Sequence, residues 1–96
     1  MNLLEDLRRI KQIMILESKK KWTIKGGKLN KTYKFKDFKE ASDFVNKVAT
    51  LSEEENHHPE IIWMYNTVEL NLSTHDKGDE VTDKDRRLSD RIDSIS

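Results

Sequence analysis

His57, His58 and His75 are all the histidines the chain has, and they fall within the stretch from Glu53 to Asp85. Imidazole exchanges protons near neutral pH without special tuning. Three of them in one stretch therefore suggest general acid and base work. His57 and His58 are adjacent and are followed at once by Pro59, whereas His75 comes after two strand-like segments. A fold that returns the chain brings the third histidine beside the first two. Imidazole is also a common metal ligand. Neighbouring side chains of an extended segment point in opposite directions, however, so joint ligation by His57 and His58 is awkward. The acid–base reading is preferred, with no metal. The sequence contains no cysteine, which excludes disulfides, thiolate nucleophiles and cysteine-bound zinc.

The elements that must position these side chains come from a chain of 96 residues with 34% hydrophobic and 38% charged residues and a mean hydropathy of −0.86. This is the size of one domain, 1–96, with a small core and much solvated surface, a combination that self-association would supplement. Eighteen basic residues balance eighteen acidic ones. That balance argues against a partner selected by bulk charge, so neither direct nucleic-acid binding nor a charged membrane surface is expected. No run approaches the roughly 20 apolar residues of a membrane span. Met1 is followed by an acidic, amphipathic segment rather than a signal peptide, so a soluble cytoplasmic protein is expected.

Leu3, Leu7, Ile10 and Met14 recur at helical spacing and predict a first helix, ending near Lys19-Lys20-Lys21, where basic side chains suit the negative end of the dipole. Trp22-Thr23-Ile24, a Gly26-Gly27 turn and the alternating Thr32 to Lys36 predict a hairpin with one wet face. Gly26-Gly27-Lys28 lacks the wider glycine spacing of a phosphate loop. Asp37 and Glu40 form a capping-box pattern. Phe38, Ala41, Val45, Val48 and Leu51 then carry a second helix to about Glu55, with Phe44 widening its apolar face.

Pro59 stops that helix and leaves His57 and His58 at a helix-to-strand junction. Ile61 to Tyr65 and Val68 to Leu72 predict two further strands around an Asn66-Thr67 turn. Ser73-Thr74-His75 lies where the last strand ends, and Asp76-Lys77-Gly78-Asp79 reads as a polar loop. Taken alone, Trp63 and Tyr65 need be no more than core aromatics. Thr82 is the expected cap of a third helix carrying Leu88, Ile92 and Ile95, and Asp85 reads first as a carboxylate of that helix start. The fold class is α+β, a four-stranded antiparallel sheet with helices on one face in the order α-β-β-α-β-β-α.

This layout, with these residues in this order, resembles the pterin-4a-carbinolamine dehydratases. The features that carry the resemblance are Glu53, His57-His58-Pro59, Trp63 with Tyr65 and Asn66, Ser73-Thr74-His75 and Asp85. Phe35-Lys36-Asp37-Phe38 and the glycine-containing loop into Val81-Thr82 support it. The match is good over roughly residues 20–96, and the first helix agrees in pattern only. The family often carries aspartate just before the paired histidines, where this chain has Asn56.

The resemblance implies dehydration of 4a-hydroxytetrahydropterin to quinonoid dihydropterin, which recycles the cofactor of aromatic amino acid hydroxylases. It implies that His57, His58 and His75 line the pterin site as acid, base or orienter, and leaves open which does which. The backbone of Ser73, Thr74, His75 and Asp76, with Asn56, His57 and His58, would hold the flat pterin edge. Glu53 would orient an imidazole, with Pro59, Trp63 and Asp85 in support. No cofactor beyond the pterin is implied. A homodimer or homotetramer is, and so is an alternative role as a dimerisation cofactor of a homeodomain transcription factor, a protein partner rather than a reaction.

Overall fold

A computed structural model describes residues 21–75, 78 and 80–96. Strands β1 (Thr23–Lys25) and β2 (Lys28–Lys34) precede helix α1 (Phe38–Glu55), strands β3 (Glu60–Met64) and β4 (Thr67–Leu72), and helix α2 (Asp83–Ile95). The expected α+β order is present from the first strand onward. The N-terminal helix expected from Leu3 to Met14 lies outside the described residues.

The strands form one antiparallel sheet in the order β1-β2-β4-β3. Gly26 and Gly27, with φ of 60° and 78°, supply the left-handed pair that suits a tight hairpin between β1 and β2. The register Leu29↔Leu72, Lys31↔Leu70 and Tyr33↔Val68 puts these six side chains on one face of the sheet. Ala41, Phe44, Val48 and Leu51 of α1 and Leu88 and Ile92 of α2 complete the core on that face. Their spacing, three or four residues apart within each helix, is the cause of the packing. Both helices therefore lie over the same side of the sheet. Asn30, Glu69, Asn71 and Glu60 form a hydrogen-bonded row on the other.

Two details depart from the sequence expectation, and one buried charge was not anticipated by it. Trp63 and Tyr65 are not core residues. They remain 37% and 63% exposed because β3 is an edge strand; Trp63 stacks on Phe38 at 4.7 Å and donates to the Tyr65 carbonyl. The turn before β4 falls at Tyr65-Asn66, one residue early, because Tyr65 takes the left-handed conformation with φ of 51° and Asn66 bonds both backbone groups of Phe35. Lys31 is only 4% exposed. Its ammonium pairs with Asp93 Oδ1 at 2.7 Å, and Asp93 also accepts from Tyr33 at 2.6 Å and from Trp22. A buried charge is tolerated only when paired and bonded in this way.

The stop of α1 positions the site. Asp37 caps its start by accepting from the Glu40 amide, while the Glu40 carboxylate bonds the Lys36 amide rather than closing the reciprocal half of a capping box. At the other end Asn56 turns left-handed, with φ of 49° and ψ of 44°. The Asn56 amide then bonds Glu53 O and the His57 amide bonds Ser52 O. This is the Schellman arrangement of a helix end. It fixes where His57 leaves the helix, and Pro59 keeps the following residues extended into β3.

Candidate active site

His57 is held from two directions. Its backbone is tied to α1, and its Nε2 atom hydrogen-bonds Oδ1 of Asp85. Asp85 sits in the first turn of α2 and is fully buried. Its other oxygen, Oδ2, accepts from the Thr82 amide at 2.8 Å and from the Thr74 hydroxyl at 2.9 Å. These bonds, with the positive end of the α2 dipole, offset the large penalty of burying a carboxylate. The expected helix-start role of Asp85 is thus present, joined to a contact that the local sequence pattern did not contain.

Thr74 reaches Asp85 because the loop after β4 closes on itself. Its amide bonds the Glu80 carbonyl at 2.9 Å, and its hydroxyl lies 2.7 Å from that of Thr82. The start of α2 is thereby brought back to the end of β4, and that closure places Asp85 behind His57.

His58 contrasts with its neighbour. Its side chain is 58% exposed, with Nε2 at 3.4 Å from Glu53 Oε1. Glu53 therefore faces His58 and not His57. An exposed pair of this kind contributes little stability. His75 lies just past the end of β4, and its carbonyl accepts from the Gly78 amide.

A cavity of about 320 Å³ lies between these segments, lined by Asn56, His57, His58, Ser73, Thr74, His75 and Lys84. It falls at the small end of the range for small-molecule sites. The structure thus brings together all three histidines with Asn56, Ser73 and Thr74, and keeps Asp85 behind His57. Pro59 follows His58 without lining the cavity, Trp63 lies at the sheet edge against Phe38, and Asp76 is outside the described residues. Lys84 was not legible beforehand, since one lysine among eighteen basic residues carries no signal of its own.

The arrangement suits proton transfer. A carboxylate that accepts from His57 Nε2–H fixes the tautomer and leaves Nδ1 as the nitrogen available to a ligand. The exposed His58 can exchange protons with solvent.

Comparison with known proteins bears on what this cavity takes. The sequence profile for the family described as Pterin 4 alpha carbinolamine dehydratase matches residues 5–95. A relative from Sulfurisphaera tokodaii, which carries the pterin-4-alpha-carbinolamine dehydratase name provisionally, is 44% identical over 83% of this chain and 85% of its own length. Another from Herpetosiphon aurantiacus, named the same way, is 47% identical over 83% and 82%. Among solved structures, a transcriptional coactivator/pterin dehydratase from Brucella melitensis superposes with a TM-score of 0.74 at 30% identity, covering 88% of this chain and 90% of that one. A pterin dehydratase-like protein identified as a RuBisCO assembly factor in the alpha-carboxysome gives a TM-score of 0.70 over 81% and 92% of the two chains. At 23% identity that likeness shows the fold alone.

Proposed function

The chain belongs to the pterin 4 alpha carbinolamine dehydratase family, and on that footing we propose that it dehydrates 4a-hydroxytetrahydropterin to quinonoid dihydropterin and water, in pterin recycling. The observation that carries the reading is the His57–Asp85 contact at the wall of a cavity that His58 and His75 also line.

The reaction breaks the bond between carbon 4a and its hydroxyl oxygen and removes a proton from a ring nitrogen. The hydroxyl leaves far better as water, so it needs a proton donor; the nitrogen needs a base. His57 is suited to the second task, because its tautomer is set by Asp85 and the imidazolium formed on accepting the proton faces that carboxylate. His58 is suited to the first, because its exposure lets it regain a proton from solvent and Glu53 stands beside its charged form. The two transfers leave the enzyme's proton count unchanged after exchange with water. His75, with the backbone of Ser73 to Asp76 and the Asn56 segment, orients the amide-like pterin edge. Positioned acid–base groups contribute around 10²–10⁴-fold each.

The test is the rate of dehydration of freshly generated 4a-hydroxytetrahydropterin, followed by absorbance against the spontaneous reaction. Wild type is expected to accelerate it and His57→Ala to lose most of the gain while its circular dichroism stays native. No acceleration by wild type overturns the dehydratase reading.

A second reading, a non-catalytic module that joins a transcription factor, draws on the coactivator title of the Brucella melitensis neighbour. It predicts a protein complex that forms equally well with His57→Ala. In either role we expect a homodimer or homotetramer, consistent with the exposed edge strand β3, on which Ile62 and Met64 are 45% and 74% accessible. Light scattering of wild type and Met64→Asp tests this, a monomeric wild type being the outcome against it.

A further inference from the structure

Among its described lining residues the cavity contains no carboxylate: Asn56, Ser73 and Thr74 are neutral, three are histidines, and Lys84 brings an ammonium group. Among the described residues, two carboxylates beside this lining are already engaged. Asp85 gives one oxygen to His57 and the other to Thr74 and Thr82, and Glu53 faces His58. No described residue pairs with Lys84, which is exposed.

Its position on the helix is a second and independent observation. Lys84 is the second residue of α2, in the turn where Asp83 and Asp85 follow the dipole's preference for negative charge. A cation there opposes the dipole and weakens the helix start. Departures from a local rule concentrate where a site requires them. An ammonium at the wall of a cavity whose described lining residues include no carboxylate supplies such a requirement.

We infer that the pterin taken by this site carries an anionic group on its side chain, a phosphate ester or a carboxylate, and that Lys84 pairs with it. The inference rests on the dehydratase reading and adds the substrate class. The histidines meet the reacting ring, and Lys84 meets the substituent and sets specificity.

The experiment uses the full chain turning over a 4a-hydroxytetrahydropterin with an uncharged side chain, with three dihydropterins as competitive inhibitors: one uncharged, one bearing a phosphate monoester, one bearing a carboxylate. The readout is the ratio of inhibition constants, uncharged over anionic, so a general loss on substitution cancels. For wild type this ratio is expected to be roughly 3–10, as for an ion pair reached from solvent, and to fall with added salt. Lys84→Gln should bring it near unity and Lys84→Arg should keep it. Whichever anion binds tighter identifies the source. If wild type turns over the uncharged substrate but shows a ratio near unity, or if Lys84→Gln leaves the ratio unchanged, the inference fails while the dehydratase reading stands. If wild type neither accelerates dehydration nor binds any of the three, both fall.

Discussion

His57 Nε2 is hydrogen-bonded to Oδ1 of Asp85, a fully buried residue 28 positions further along the chain. The pair joins the end of α1 to the start of α2, so one contact both closes the fold and sets an imidazole at the cavity. Its two roles separate on substitution.

Asp85→Asn keeps the size and most of the capping geometry but removes the charge and presents an amide to His57 or to Thr74. We expect kcat to fall by about 10²-fold or more with KM little changed, because the wrong tautomer at His57 affects the reacting state rather than binding. Stability should fall by about 1–3 kcal/mol from the disturbed buried bonds. Steady-state kinetics beside urea unfolding checks both; activity within about threefold of wild type would show that Asp85 is a cap and nothing more.

His58→Ala tests the exposed imidazole. With its side chain mostly in water, the substitution should leave stability within about 0.5 kcal/mol while lowering kcat by about 10²-fold. Glu53→Gln should lower kcat by less than about threefold, since the pair it makes with His58 is exposed and long. Equal losses in the two variants would show that the pair, not the imidazole, carries the effect.

The sequence located these histidines because the causes are local. Helical spacing runs up to Leu51, Pro59 forbids continuation, and alternation from Val68 to Leu72 returns the chain to Ser73-Thr74-His75. Asp85's contact with His57 has no local cause. It depends on the closure of Thr74 on Glu80 and Thr82, a loop pairing that no periodicity announces. The core alternative for Trp63 fails for a related reason: an aromatic type reports strand propensity, whereas its exposure follows from β3 lying at the sheet edge. The strand pattern places Lys31 inward, but only Asp93, 62 residues away, makes that burial tolerable.

The same Asp93 adds to a dependence of stability on alkaline pH that arises at Tyr33. Burial above all, then the bond to Asp93 and its negative charge, hold the Tyr33 phenol far above its ordinary value of 10.0. Below pH 10 the phenol is neutral in both folded and unfolded chains. Above it the unfolded phenol ionises and the folded one does not, so stability is lost as pH rises. Tyr33→Phe should be less stable at neutral pH by about 1–2 kcal/mol, from the lost bond to a charged acceptor, yet should decline less between about pH 9 and 11. Urea unfolding across that range checks the slope; parallel curves for the two proteins would exclude Tyr33 as the cause.

Asn56 separates a turn-forming role from a ligand-binding one. Its φ of 49° is tolerated by asparagine and glycine but strained for a residue with an ordinary Cβ. Asn56→Ala should therefore lower stability by about 1 kcal/mol, and it should loosen the turn from which His57 emerges. Asn56→Gly keeps the left-handed turn and should remain within a few tenths of a kcal/mol of wild type. Because Asn56 also lines the cavity, the glycine variant should raise KM several-fold with kcat nearly unchanged, the mark of a lost binding contact. Were Asn56→Gly to match wild type in both constants, the asparagine would serve the helix end alone. The pterin edge would then be held by the strand-end backbone of Ser73 to His75.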